Sequence, residues 1–427
     1  MAVPLVFDPR EGHSGARPKY LLILAGALIG AALLAGEALG RRGVPRRNHN
    51  WLGWPVVALV ASAAISTAAS DHRTAALSGF AGTYDGLWAT VALSLLFFAT
   101  VAAFRTEHVS TAFKALWFVA GTGVLAFGLV QLVDRLVSPG GWDWARPPDS
   151  PWTIGSTLGN PNHLASFVAI LLPLGTVLAV LGGGRARVAI GAIGAVAVTE
   201  LVITASRGGW LAAVVGMAVL GVLFRRELGR HRTAVLRVAA AAAALAVVVT
   251  VLLGPLGVIK RDVRSVLRAG PGTTVDLRLE VWASAWRVAS DHPLLGVGPD
   301  VFPVVFPAYA SDRFLWLFGA FTVANGAHNL FLNTLANQGV AGLLALLAVL
   351  ATAAIRITRS WRRLQAGGET RLLLGGVTAA LVAYLVQACF NTQPLSLSLC
   401  FWALLGLAVA LCEPRDARAT LAGEEER

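Results

Sequence analysis

Solid apolar blocks alternate with short polar joints along most of the chain. The blocks lie near 20–40, 51–70, 87–104, 111–134, 163–182, 187–204, 208–224, 234–254, 328–355, 372–390 and 394–412. Their length approaches the ~20 residues a helix needs to cross ~30 Å of hydrocarbon. A membrane barrel would instead alternate apolar and polar positions. In lipid each peptide group must find its partner within the segment, which favours helices over an open sheet. The pattern therefore predicts an all-α polytopic membrane protein with about 11–12 transmembrane helices, a single membrane domain over 1–427.

Two polar interruptions are long, about 135–160 and 255–327. Within the second, "TTVDLRLEVWASAWRVASDHPLLGVG" places Leu277, Val281, Ala285 and Val288 at helical spacing, with Asp276, Arg278, Glu280 and Arg287 on or near the other face. Together with Trp282 and Trp286 this reads as an amphipathic helix lying along a membrane surface. "DHPLLGVGPDVFP" follows as a glycine- and proline-punctuated turn. The aromatics of "FPAYASDRFLWLFGAF" suit either stacking on sugar rings or anchoring at the interface.

Composition agrees with the pattern. Of 427 residues 56% are hydrophobic and 14% charged, and mean hydropathy is +0.67; soluble domains carry roughly a quarter charged residues. A net charge of +12 in a soluble protein would suggest nucleic acid. Here it needs no such partner, because the cytoplasmic loops of membrane proteins collect basic residues. Cys389, Cys400 and Cys412 fall in or at the ends of apolar blocks without metal spacing, so neither a disulfide framework nor a metal site is expected. The first block, about 20–40, is longer than the apolar core of a signal peptide and shows no clear cleavage site.

The basic clusters set an orientation. Arg41, Arg42, Arg46 and Arg47, then Arg105 with Lys114, Arg185 with Arg187, Arg225 to Arg237, and Arg356 to Arg371 all fall on one face of this helix order. That face is the cytoplasmic one. The joints near 71–86, 135–160, 205–208, 255–327 and 391–393 then lie outside. Arg10, Arg17 and Lys19 sit on the outer face too, against the charge rule.

Four places carry candidate chemistry on that outer face. Arg207 of "SRGGWL" stands between two apolar helices, far from the basic clusters. It either snorkels to lipid headgroups or binds an anion, the default expectation for an intramembrane charge. Gly208 and Gly209 allow close approach there, and Ser206 can cap the next helix. Arg278 and Arg287 either face water or join the same site. His328 and Asn329 open an apolar helix in "NGAHNLFLNTLANQGVAGLL"; a histidine with a pKa near neutrality is suited to proton transfer. In "GNPNHLASF" the Asn160-Pro161-Asn162-His163 turn launches another helix, with His163 a second candidate base or a packed helix-start residue.

Taken in this order, the motifs resemble the O-antigen ligase and polymerase superfamily: WaaL-type ligases, Wzy-type polymerases and related oligosaccharyltransferases. Its members carry an arginine-bearing "SRG" at a helix start, a large periplasmic loop with an arginine, and then a helix opening with His-Asn. Arg207 to Leu211 matches the ligase pattern of Arg, three residues and Leu, and His328-Asn329 through Gly339 to Gly342 matches its histidine pattern. "GNPNHLASF" is similar to the superfamily's Asn-Pro-Asn helix start, and "RLEVWASAWRVASDHPLLGVG" to its loop. The resemblance spans nearly the whole chain, most specifically 155–345.

The resemblance implies a C-type glycosyltransferase-like architecture in the bacterial inner membrane, with its site facing the periplasm in the loop 255–327 and the helix starts beside it. It implies transfer of a glycan from an undecaprenyl-pyrophosphate-linked donor to an acceptor hydroxyl. The acceptor is lipid A–core for a ligase, the preferred reading, or a second lipid-linked glycan for a polymerase. It implies catalytic roles for Arg207, Arg278 and His328, and substrate contacts from Arg287, Asn329, Asn160, Asn162 and His163. Guanidinium groups bind diphosphate without losing their own proton, so a metal-independent reaction without cofactor is expected. A flippase or transporter is the rival from another class. Inverted repeats would favour it and none is visible, although Glu37 and Glu200 are candidate relay carboxylates.

Overall fold

The structure, a computed structural model, describes residues 3–6, 16–40, 52–104, 109–137, 154–225, 272–319 and 322–412. These form 14 α-helices and no strand. In chain order they are α1 (Ala16–Gly40), α2 (Gly53–Ala69), α3 (Arg73–Ser78), α4 (Leu87–Ala103), α5 (Val109–Val137), α6 (Pro161–Leu181), α7 (Gly184–Ile203) and α8 (Arg207–Leu223). The remainder are α9 (Thr274–Asp291), α10 (Phe302–Tyr309), α11 (Asp312–Phe318), α12 (Leu330–Arg363), α13 (Glu369–Ala388) and α14 (Leu395–Leu411).

Every expected span that falls on described residues is a helix. Six of them, α1, α5, α6, α7, α12 and α13, are long and apolar enough to cross a membrane. The four shorter apolar helices α2, α4, α8 and α14 have 17 residues each, about 25 Å at 1.5 Å per residue. That is the lower end of the spanning range. The expected helix near 234–254 lies outside the described residues, as do the basic clusters 41–47 and 226–237 and the start of the large loop, 255–271.

The bundle is built around α6 and α13, each with 72% of its apolar window buried, while α1, α7 and α12 bury 22%, 28% and 22% of theirs. The former pair forms the centre and the latter three the lipid-facing rim. Helix α8 packs into the centre through small residues. Gly209 lies directly against Ala165 of α6, and a Cβ on Gly216 would stand 2.9 Å from that of Ala383 on α13. Small residues let helix backbones approach where lipid supplies no hydrophobic push.

The described parts of the joints expected outside meet at one end of the bundle. Lys19 Nζ donates to Thr157 O at 2.7 Å, Ser70 Oγ to Val297 O at 2.6 Å, and Thr83 Oγ1 to Asp300 Oδ2 at 2.6 Å. Arg278 Nη2 donates to Asn391 Oδ1 at 2.9 Å. At the other end, Arg371 lies 4.4 Å over the Trp361 ring and Ser360 Oγ donates to Cys412 O at 3.2 Å. Lys19, which breaks the charge rule, is thus a buried tether from α1 to the turn before α6.

The large loop carries a core of its own. Val281, Ala285 and Val288 of α9 are fully buried, as the spacing predicts, against Phe302 and Phe306 of α10 and Phe314 of α11. Phe306 and Phe314 meet edge to face at 5.0 Å. Most of the loop aromatics are therefore core residues, and Trp286 and Trp316 are the ones left exposed. Arg313 closes the outer side by pairing with Asp276 at 2.7 Å and Glu280 at 3.0 Å.

This small core is stitched to the membrane bundle at a break in α12. Gly339 leaves the helical region at φ 64, ψ −166, and the segment 293–298 lies in the gap. Val297 N donates to Ala336 O at 3.1 Å and Gly298 N to Asn337 O at 2.8 Å; Val340 N donates to Pro293 O at 2.8 Å. Ser66 of α2 donates to both strands of the joint, Leu295 O at 2.6 Å and Asn337 O at 3.0 Å. Asn337 Oδ1 accepts Phe302 N at 2.8 Å. The "PLLGVG" turn is thus the partner of a broken membrane helix, which is more than the surface turn its sequence suggests. A Cβ on Gly339 would collide with the Leu294 carbonyl, whereas one on Gly221 of α8 meets nothing within 4 Å. Gly339→Ala combines that collision with left-handed backbone, itself unfavourable by roughly 1–2 kcal/mol. It should lower the melting temperature of the detergent-solubilised protein by several degrees, and Gly221→Ala should leave it unchanged within error.

Candidate functional site

Three capped helix starts open at the outer end. Asn160 caps α6, its side chain accepting Asn162 N at 2.8 Å, with Pro161 in the first turn. Ser206 caps α8 by accepting Gly209 N at 3.3 Å. Asn329 caps α12 by accepting Phe331 N at 3.0 Å and Leu332 N at 3.1 Å. Each start presents the positive end of a helix dipole, a natural anion site when the termini face one place.

Side chains cross-link these starts. Ser206 Oγ donates to Asn162 Oδ1 at 2.7 Å, so the α8 cap is held by α6. Gln387 Nε2 of α13 donates to Asn162 O at 3.2 Å. A Cβ on Gly208 would stand 2.6 Å from Gln387 Oε1 and 3.3 Å from Asn391 Nδ2, so the glycine pair after Arg207 admits α13 and its following loop. Arg207 is thereby fixed at the junction of α6, α8 and α13.

Arg278 reaches this junction from α9. It is half-buried and donates to Asn391, which is 4% exposed. Among the described residues no carboxylate pairs with it, because Asp276 and Glu280 are held by Arg313. Burial, and then the charge of Arg207, press its guanidinium below the ordinary range. His328 follows, at φ 49. Burial first and Arg278 second push its imidazole down to about 4. The sequence reading placed this histidine near neutrality; burial, and then the neighbouring cation, neither of which sequence spacing reveals, move it. His163 lies within electrostatic reach of His328 and Lys19, with Nδ1 3.4 Å from Leu158 O.

The structure thus brings Arg207, Arg278, His328, His163 and Asn162 to one place. Arg287 is elsewhere. Nine residues at about 100° each turn it half a revolution from Arg278; it is exposed and donates to Ser284 Oγ of its own helix at 3.2 Å. Asn160 and Asn329 spend their side-chain oxygens on capping. Glu200 is fully buried in α7, against Gly128 of α5. Gln387 and Asn391 were not singled out from the sequence. Their signal was there, as polar residues in "YLVQACFNTQPL" where an apolar helix ends.

With this geometry in place, the comparison with known proteins is informative. Residues 192–347 match the family described as O-antigen ligase. Over this segment the chain is similar to the O-antigen ligase family, which supports a relationship to the O-antigen ligase/polymerase superfamily. It covers Arg207, Arg278, Arg287, His328 and Asn329; the α6 start and the Gln387–Asn391 segment lie outside it. No curated protein matches the chain.

Two outcomes are expected. Ser206→Ala removes a cap and the link to Asn162, and should destabilise the protein by about 1–2 kcal/mol, read by thermal unfolding. The His328 signal, assigned as the imidazole resonance absent from His328→Ala in histidine-labelled protein, should titrate at about pH 4. It should move upward in Arg278→Ala, because a removed positive charge no longer disfavours the imidazolium.

Proposed function

We propose that this protein belongs to the O-antigen ligase/polymerase superfamily and transfers a glycan from an undecaprenyl-pyrophosphate-linked donor to an acceptor hydroxyl. The reaction takes place at the periplasmic face of a bacterial inner membrane. The carrying observation is the convergence of Arg207 and Arg278 with His328 at the end where three helix starts open.

In this mechanism the diphosphate of the donor lies between the two guanidiniums, which match phosphate oxygens bidentately and stay charged at any working pH. The acceptor oxygen attacks the anomeric carbon and the bond from that carbon to the diphosphate oxygen breaks. The electron pair leaves with the polyprenyl diphosphate, where Arg207 and Arg278 stabilise the growing charge. The hydroxyl proton passes to His328 and from there to water. His328 is neutral before donor arrives and can accept a proton. The incoming diphosphate, a negative neighbour, raises its basicity when it is needed. The arginines supply the cationic charge that a divalent ion supplies elsewhere, so the reaction is metal-independent. Asn162 and His163 lie where the sugar would stand.

We assign the acceptor as lipid A–core, the ligase reaction. The motif from Arg207 to Leu211 and the motif from His328 to Gly342 fit the ligase pattern without exception. A second lipid-linked glycan as acceptor would make the protein a polymerase.

Purified protein incubated with lipid-linked donor and each acceptor in turn should yield a lipid A–core adduct; growth of the lipid-linked chain instead would establish the polymerase reaction. Arg207→Ala and Arg278→Ala should each lower kcat by about 10²-fold or more, and His328→Ala by about 10²–10⁴-fold. Arg287→Ala should retain activity. Excess chelator should leave the rate unchanged, and a loss reversed by magnesium or manganese would refute metal independence. Movement of donor lipid across vesicles without any acceptor, abolished by the same substitutions, would instead indicate a flippase.

A further inference from the structure

We propose that Asn391 is a positioning residue that holds Arg278 beside Arg207, so that both guanidiniums face one anion. The inference rests on the donor reading above and concerns a loop outside the family match.

Two like charges on separate helices, α8 and α9, repel one another, and Arg278 is on a flexible four-bond stem. Something must hold it in place. Among the described residues, the side chain to which it donates is Asn391, at 2.9 Å. The assignment of that amide is forced. A guanidinium has no acceptor, so the atom facing Arg278 is oxygen and Asn391 Nδ2 points the other way. The same logic fixes Gln387, whose Nε2 meets the carbonyl of Asn162 and whose Oε1 therefore faces Gly208.

Asn391 Nδ2 and Gln387 Oε1 are both buried and bonded to nothing, and both border Gly208 in the first turn of α8. Buried polar groups without partners are rare in native structures. Here an orphan donor and an orphan acceptor stand beside the N-terminus of a 17-residue helix, and they mark a place where a polar ligand completes the bonding. Asn391 accordingly touches both halves of the site, the Arg278 guanidinium with its oxygen and the Arg207 turn with its nitrogen. A neutral amide does this without bringing a negative charge to the place where the diphosphate binds.

The test is a double-mutant cycle on transfer from the lipid-linked donor. Asn391→Ala should lower kcat/KM for donor at least tenfold. In the Arg278→Ala background the same change should cost less than threefold, because the arginine it positions is gone. An undiminished loss in that background would mean a general structural role and overturn the proposal, as would full activity of Asn391→Ala. Asn391→Gln keeps a neutral amide oxygen for Arg278 and covers the case in which the alanine variant fails to fold. Its kcat should stay within threefold of the parent, and a loss equal to that of Arg278→Ala would overturn the proposal. Full activity of Arg278→Ala itself would instead overturn the donor reading. Monodisperse elution and an unchanged melting temperature establish folding of each variant.

Discussion

A peptide group inside a membrane has no water to turn to, so a break in a spanning helix must be repaired by another piece of the same protein. In this chain the break is at Gly339, and the segment 293–298 repairs it. That exchange of backbone hydrogen bonds does more than satisfy polar groups. It fastens the loop, with α9 and Arg278, to the half-helix that His328 opens. The distance between the cation and the imidazole is thereby set by backbone geometry at a buried joint rather than by a flexible tether. Serines of α2 reinforce the joint, so three elements far apart in sequence form one rigid corner.

The site's electrostatics follow from what is kept out of it. Asp276 and Glu280 share α9 with Arg278 and would neutralise it if they lay on its face. The 100° step of the helix turns them outward, where Arg313 binds both. Inside, Arg278 meets a neutral amide and the like charge of Arg207, and His328 is pressed toward its neutral form. Two guanidiniums and the helix starts are therefore gathered at one site. A diphosphate entering it would relieve the repulsion and turn on the base in one step, which couples donor binding to readiness for transfer.

Small residues make this arrangement possible. Gly208 and Gly209 follow Arg207 because the first turn of α8 is wedged between Ala165 of α6 and Gln387 of α13. Any larger side chain would lift the helix start, and the arginine with it. Asn162, between Ser206 and Gln387, ties the three elements by hydrogen bonds that involve no ionised group, so the framework itself does not depend on pH.

Sequence alone determined the spans, because crossing hydrocarbon demands a long apolar run and each such run is visible on its own. The arginine clusters gave an expected orientation, and Arg207, Arg278 and His328 were marked because charge at a membrane boundary is rare enough to stand out. The buried stripe of α9 was equally legible from helical spacing. What only the tertiary structure decided depends on contacts between segments roughly 40 to 230 residues apart. The role of Gly339 as a break filled by 293–298, the depressed basicity of His328 and the recruitment of Gln387 and Asn391 are all of this kind. Each is set by which neighbour the folded chain brings near, and neither the hydrophobic period nor local charge encodes that neighbour.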